Sequence, residues 1–309
     1  MRVVVVGAGA VGGAFAGMLA RAGRDVVLLG RGKALEAIRL DGLLLLGAKG
    51  GYSIPIRATD RAEEIGPADL ILICTKTYEL EAALESARPC LGEGTVILPL
   101  QNGIESEETA GSILGADRVM GCVAYVGAVA ESPGKIRHDL GGRLVIGEVS
   151  GGESERGRKL QSFFEESGIL CRLSSAVRQD LWEKLVGNSV INVIPAITGC
   201  RVGDLIRDPR SEETTRAALE EAGAVSGSQG SPIDEEKIAG HLDFCRRYPE
   251  FETSTQQDVR RGRPTEVEAF NGAIMRTGRS AGIPTPIHTT LYRLLKAREA
   301  IESGRKTER

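Results

Sequence analysis

Short apolar runs alternate with stretches of helical period through the first half of the chain, and helical period alone continues after them. Val3 to Val6 form an unbroken β-branched run, as a strand buried on both faces requires. Ala14 to Ala22 follow as an apolar helix ending at Gly23, and Asp25 to Leu29 read as a second strand, which together make a βαβ unit. Leu43 to Leu46 and Tyr52 to Ile56, flanking the glycine-rich G-A-K-G-G, predict a hairpin. Asp69 to Cys74 and Thr95 to Leu98 are further buried strands, and the second leads into a helix with Glu105, Glu107 and Glu108 at its acidic start. Arg118 to Val129, Lys135 to His138 and Arg143 to Gly147, linked by Pro133-Gly134 and Gly141-Gly142, predict an antiparallel finish to the same sheet. A helix over Glu153 to Ser167 and a strand over Ile169 to Leu173 close this region.

From about Ala176 the strands disappear, and helices broken at Pro209, Pro232, Pro264 and Pro284 run to a charged tail, Gly304 to Arg309, that is expected to be disordered. The first of these helices carries Lys184, Asn188 and Asn192 at every fourth position. At about 100° per residue they form one stripe roughly 80° wide, with Val186, Val190, Val193, Ile194 and Ile197 on the opposite side. An asparagine buried in such a run without partners costs roughly 1 to 3 kcal/mol. The stripe is therefore expected to meet a ligand cleft between domains or matched polar groups; a solvated face would more typically carry Glu, Lys and Arg. Further on, Ser254 with Gln257 and Thr265 with Glu268 fit capping boxes, and Glu266 falls at a first helical position, where its charge complements the helix dipole. Capping alone accounts for these residues, yet a helix start also offers donors to a substrate carboxylate.

The chemistry begins at the first strand-to-helix corner, Gly7-Ala8-Gly9-Ala10-Val11-Gly12. In a G-x-G-x-x-G corner the first glycine makes the tight turn, the second admits a pyrophosphate close to the main chain, and the third lets helix and strand pack closely. A bare match means little in a chain with 40 glycines, but this one lies between a buried strand and a helix. The strand over Asp25 to Leu29 ends in Gly30-Arg31-Gly32-Lys33, with no carboxylate to take a ribose 2′-hydroxyl. Arg31, with Lys33 as a second charge, suits a 2′-phosphate, which favours NADP over NAD; simple solvation of a loop is the plainer alternative. Lys76 and Asn102 fall at the carboxyl ends of later strands, where open α/β sheets place their ligands, and Asn102 serves equally well as a turn former. The expected architecture is α/β, a Rossmann-type NADP-binding domain over residues 1–175 followed by an all-helical substrate and catalytic domain over 176–309.

Composition narrows the partners. A net charge of −3, with both signs interleaved, supplies no basic field for nucleic acid or an anionic membrane. Cys74, Cys90, Cys122, Cys171, Cys200 and Cys245 form no C-x-x-C pair and read as buried thiols of a reducing compartment. No secretory signal and no long apolar span is evident, so a cytoplasmic protein is expected. His138, His241 and His288 lie far apart, and no metal is expected.

Taken together and in order, these features resemble the ketopantoate reductases (2-dehydropantoate 2-reductases) over nearly the whole chain. The resemblance rests on GAGAVG, Arg31, the T-K of Lys76, the Q-N-G of Asn102, L-W-E-K-L-x-x-N-x-x-x-N from Leu181, S-T-Q-Q-D from Ser254 to Asp258, and the T-E of Glu266 followed by F-N-G. It implies NADPH-dependent reduction of ketopantoate, with Lys184 as proton donor and Glu266 near it at the nicotinamide end of the site. It further implies Asn188 and Asn192 as substrate-contacting amides, Ser254 on the substrate carboxylate, Arg31 on the 2′-phosphate, and Lys76, Asn102 and Ala128 on the cofactor. The chain departs from the family at Phe251 and Val202, where Asn is common. Apolar residues there would not reward a terminal hydroxyl, which leaves another 2-oxo acid open as substrate. A regulatory NADP-binding protein without turnover is the remaining alternative, although it has no need of a lysine-carboxylate pair. A homodimer stays open, because helical second domains of dehydrogenases commonly pair.

Overall fold

The β-branched run after Arg2 becomes the central strand of a parallel sheet, and the rest of the first unit is built around it. The computed structural model describes residues 1–47 and 50–307 of the chain. It divides into one unit of Met1–Gln101 with Glu105–Arg178 and a second of Asn102–Ile104 with the chain from Gln179 onward.

The strands of the first unit are β1 (Arg2–Val6), β2 (Asp25–Leu29), β3 (Leu43–Gly47), β4 (Gly50–Ile54), β5 (Arg57–Thr59), β6 (Ala68–Ile73), β7 (Leu91–Pro99), β8 (Met120–Ser132), β9 (Lys135–Glu148) and β10 (Cys171–Leu173). A parallel sheet runs in the order β5-β2-β1-β6-β7. Val3, Val5, Leu28, Leu70 and Leu72 bury one of its faces, and Val4, Val6, Val27, Ile71 and Ile73 the other. Burial on both faces is why these strands read as continuous apolar runs rather than alternating ones.

Helix α1 (Ala10–Arg21) packs against strands of this sheet and, on its other side, against β3, β8 and β9. It is rich in Gly and Ala because two sheets press on it: a Cβ at Gly13 would lie 2.6 Å from Ile136 Cγ1. The predicted hairpin forms as β3 and β4, but the expected antiparallel finish to the first sheet does not. Strands β8 and β9 belong to a second sheet in the order β10-β9-β3-β4, with β8 antiparallel to β9. Gly141-Gly142 does not link two strands; Gly141 lies at a register shift inside the continuous β9. A glycine pair ends a strand in one context and bulges it in another, and the sequence alone does not separate the two. Helices α2 (Gly32–Asp41), α3 (Leu80–Ala87), α4 (Ser106–Leu114) and α5 (Glu155–Glu166) complete the unit.

After α6 (Val177–Gly187) the chain is helical throughout: α7 (Val193–Thr198), α8 (Pro209–Gly227), α9 (Glu235–Arg247), α10 (Ser254–Arg260), α11 (Ala273–Ala281) and α12 (Pro286–Thr307). Pro209 is the first residue of α8, where its missing N–H costs nothing. The expected disorder from Gly304 is not observed as far as Thr307, which α12 reaches; residues 308 and 309 lie outside the described residues, as do residues 48 and 49 of the G-A-K-G-G segment. Two turns are π-helical, Asn188–Asn192 between α6 and α7 and Glu268–Gly272 before α11. Val186, Val190, Val193, Leu219, Val225, Phe270, Ile274 and Leu295 are all fully buried in the core of this unit. Among the described residues no helix is long and apolar enough to cross a membrane. All six cysteines are thiols outside any disulfide; Cys90, Cys122, Cys171 and Cys245 are buried, whereas Cys74 and Cys200 are only half-buried.

His241, on α9, sets a pH limit on this unit. Its ring packs so closely on Gly187 that a Cβ there would lie 2.6 Å from Cε1. Burial pushes the imidazole down to about 4, partly offset by a bond to the Glu183 main chain. Because the folded pKa lies below the unfolded one, the unfolded chain binds the extra proton between about pH 6.5 and 4. The stabilisation is complete above that window and lost through it. Urea denaturation at pH 7.5 and pH 4.5 is expected to show the wild type losing roughly 2 to 3 kcal/mol more than His241→Gln. Parallel losses in both would remove His241 as the cause.

Candidate active site

The glycine corner divides its three glycines between two purposes. Gly7 has φ +108°, and a Cβ there would press on the Cys74 carbonyl group and Thr75 at 3.1 Å. A Cβ on Gly12 would lie 1.9 Å from the Gly7 carbonyl oxygen. Both are required by the protein itself. Gly9 is different: it is exposed, its φ of −79° suits any residue, and a Cβ would meet nothing within 4 Å. Gly9 is also the N-cap of α1, which has no side-chain cap and no acidic residue in its first turn. The main-chain donors of Ala10, Val11 and Gly12 therefore stand at a helix start suited to an anion. Ala8, Val11 and Ala128, the last on β8, pack against one apolar core.

At the neighbouring strand ends, Arg31 is the N-cap of α2, and Lys76 precedes a short 3-10 turn over Thr77–Glu79. That turn delivers a carboxylate that the sequence did not point to: Glu79 Oε1 lies 2.5 Å from an Arg31 guanidinium nitrogen. The Arg31 side chain is 76% exposed, so this pair is held weakly and can exchange partners. Lys33 is exposed and Lys76 half-buried.

In the second unit the polar stripe is realised with a modification. Lys184, Asn188 and Asn192 are each half-buried. Four α-helical residues carry Asn188 about 40° forward of Lys184. From Asn188 to Asn192 the turn is π-helical and closes one residue later, at roughly 80° per residue, so Asn192 swings about 40° back and returns over Lys184. The π turn thus narrows the predicted stripe.

Asn102 packs with this unit rather than with the strand that precedes it. Its Oδ1 accepts from Asn188 Nδ2 at 3.5 Å, and its Nδ2 donates to Glu266 Oε2 at 3.2 Å. Asn188, Asn102 and Glu266 therefore form one hydrogen-bonded string, and Glu266 is only 5% exposed. Of the two roles left open for Asn102, the turn is held by Gly103 at φ +110°, which leaves the Asn102 amide for bonding. Thr253 Oγ1 donates to the Asn192 carbonyl at 3.4 Å and so ties the start of α10 to the π turn. Ser254 is exposed at the first position of α10.

Two expectations about helix starts are corrected. The capping box at α10 is formed by Thr253 with Gln256, one residue earlier than expected, which frees the Ser254 hydroxyl from capping. Thr265 and Glu268 form no box: Thr265 bonds Glu299 and the Val267 N–H, while Glu268 bonds Arg276 and Tyr292. Glu266 accordingly sits in the bend before the π turn, not in a helix. Long-range partners outcompete local ones here, and no sequence pattern announces them. Val202 is fully buried and Phe251 half-buried in an apolar cluster with Ile191, Leu205, Phe244 and Cys245. Val202 is therefore a packing residue beneath the π turn.

A Rossmann-type unit with a glycine-rich strand-to-helix corner, joined in one chain to a helical unit bearing a half-buried lysine, two asparagines and a buried glutamate, is the build of a dinucleotide-binding oxidoreductase. Residues 3–151 match the family described as ketopantoate reductase PanE/ApbA, and residues 176–299 match its C-terminal part. A 2-dehydropantoate 2-reductase of Mesorhizobium japonicum is 34% identical, covering 98% of this chain and 99% of that one. The crystal structure of a PanE/ApbA family ketopantoate reductase from Ralstonia eutropha superposes with a TM-score of 0.90 at 33% identity, covering 98% and 99% of the two chains. D-mandelate dehydrogenase, solved with NADH and anilino(oxo)acetate, shares the fold with a TM-score of 0.92 at 24% identity over 98% and 99%. The chain belongs to the ketopantoate reductase family.

Proposed function

We propose that the protein reduces ketopantoate to pantoate with NADPH, the first unit binding the cofactor and the second acting on the substrate. The observation that carries this reading is the bonded string Asn188–Asn102–Glu266, reached from the same helix that carries Lys184. It joins two side-chain amides to a buried glutamate, starting one helical turn beyond the expected proton donor.

The residues of the first unit fit a dinucleotide: the space left at Gly9 and the uncapped start of α1 suit a pyrophosphate, and Arg31 suits a 2′-phosphate. When bound, reduced nicotinamide supplies the hydride that the 2-oxo carbon accepts. Lys184 stabilises the charge growing on the ketone oxygen and then passes it a proton from Nζ. Asn188 and Asn192 hold the substrate's polar groups, Ser254 takes its carboxylate, and Glu266 counters the positive charge of Lys184. Lys76, Asn102 and Ala128 contribute to cofactor binding.

The test is NADPH oxidation with ketopantoate beside 2-oxo acids lacking its 4-hydroxyl. Preferential turnover of ketopantoate supports the reading. Turnover of another acid keeps the chemistry and changes the substrate, and tight NADPH binding with no turnover leaves a regulatory protein.

Preference for NADPH over NADH has its own determinant. With Glu79 on Arg31, a 2′-phosphate must displace or tolerate a carboxylate. Glu79→Gln is expected to tighten NADPH about threefold to tenfold and leave NADH unchanged, whereas Arg31→Ala weakens NADPH alone. Equal changes for both cofactors in a binding titration would place the 2′-phosphate elsewhere.

A further inference from the structure

The π turn that carries Asn188 and Asn192 is held from behind by polar groups that no step above uses. Ser189, on its inner side, is fully buried, as is His288 in the first turn of α12. Ser189 Oγ lies 3.0 Å from His288 Nε2, and His288 Nδ1 lies 2.8 Å from Glu221 Oε1 on α8. Glu221 also accepts the main-chain N–H of His288 at 2.8 Å and of Ile287 at 3.0 Å, so the carboxylate caps α12 while orienting the ring. Burial alone would raise the Glu221 carboxyl, but the bonds from the His288 side chain and main chain and from Ile287 outweigh it and hold it below the usual range.

Ser, His and Glu in this order have the connectivity of a nucleophile, a base and its orienting acid. Chemistry is excluded by access, since neither Ser189 nor His288 reaches solvent. The string is also internally complete. Ser189 Oγ lies 2.9 Å from the Val186 carbonyl oxygen as well as 3.0 Å from the ring. Its single proton can serve either Val186 or the ring. Both arrangements leave the string satisfied, which is what permits polar groups to be buried here.

A π turn needs such support. Closing one residue late, it disturbs the α-helical pairing of carbonyls and donors on either side. The Ser189 carbonyl receives its donor from outside, from Asn271 Nδ2 at 3.1 Å, and Asn271 is itself a buried residue of the second π turn. Both the side chain and the carbonyl of Ser189 are thus tied to other helices. If this turn relaxed to α-helical winding, Asn192 would rotate by roughly 80° relative to Asn188 and Lys184.

We propose that Ser189, His288 and Glu221 are positioning residues, a buried brace that holds the π turn so that Asn188 and Asn192 stay aligned for the substrate. The proposal rests on the reading of those two asparagines as substrate-binding amides.

The test compares Ser189→Ala, His288→Gln, their double variant, Asn188→Ala and Asn192→Ala, using ketopantoate KM, kcat, the NADPH Kd and melting temperature. Ser189→Ala removes one oxygen and retains the helix, so it remains informative if His288→Gln folds poorly. Ser189→Ala is expected to raise KM about tenfold, with the NADPH Kd unchanged and a smaller effect on kcat. In the double variant the loss in kcat/KM should be close to that of His288→Gln alone, because the two side chains act through one another. General destabilisation would instead lower the melting temperature without separating KM from the NADPH Kd. If Asn188→Ala and Asn192→Ala raise KM while Ser189→Ala does not, or if the single losses add, the brace is wrong and the site stands. If no variant changes KM, the site reading fails and the brace with it.

Discussion

Lys184→Ala should lower kcat by roughly 10²-fold to 10⁴-fold and leave the NADPH Kd within about twofold of wild type. The loss corresponds to roughly 3 to 5 kcal/mol of transition-state stabilisation, more than an ordinary hydrogen bond provides. It is expected to be this large because an ammonium serves the reaction twice, first against developing charge on oxygen and then as the source of the proton. The separation from cofactor binding is expected because most of the proposed cofactor contacts, the glycine corner and Arg31 among them, belong to the first unit, while Lys184 belongs to the second. Lys184→Arg separates the two roles. It keeps the charge, but a guanidinium is a poor proton donor at neutral pH, so most of the loss should persist. Full activity in Lys184→Arg would show that charge alone suffices, and equal loss of turnover and NADPH binding in Lys184→Ala would move the lysine to the cofactor.

What the sequence revealed about this site depended on the range of each interaction. Strands β1, β2 and β6 were legible because burial on both faces writes itself as an unbroken apolar run. The stripe of Lys184, Asn188 and Asn192 was legible because helical spacing is local. The π turn was not, since an i to i+5 closure leaves no mark in a pattern read at four-residue intervals. The sequence also did not foretell that β8 and β9 leave the first sheet: what decides it is α1, which packs on strands of the first sheet while its Gly13 and Gly17 face strands of the second. Arg31 stands out as a candidate phosphate ligand from its place after β2, a role that the NADPH titration tests. Its ion pair could not be read in this way, because Glu79 arrives from a turn 48 residues away. The same holds for the link from Asn102 to Glu266, 164 residues apart, and for the choice of Thr253 over Ser254 as the cap of α10. Each element could be read from its own residues, whereas their pairing is a property of the folded chain.

Gly9→Ala and Gly12→Ala should separate cofactor binding from folding within a single loop. At Gly12 the new methyl would lie 1.9 Å from the Gly7 carbonyl oxygen, a main-chain atom that cannot turn aside. The strand-to-helix corner must open, at a cost of roughly 3 kcal/mol. At Gly9 the methyl meets no protein atom within 4 Å, and φ is −79°, so the fold should be unaffected or gain about 0.5 kcal/mol from a less flexible unfolded chain. Gly9 is nevertheless the N-cap of α1, a helix start with no side-chain cap of its own. A methyl there should weaken NADPH roughly tenfold to hundredfold, the equivalent of about 1.4 to 2.8 kcal/mol. Melting temperature and an NADPH titration on the two variants give four numbers with a definite pattern: Gly12→Ala melts early, and Gly9→Ala melts normally but binds weakly. A Gly9→Ala protein that binds NADPH like the wild type would mean that the pyrophosphate does not pass over Gly9. The glycine would then be spared for a reason other than the cofactor, since the protein itself leaves that position open.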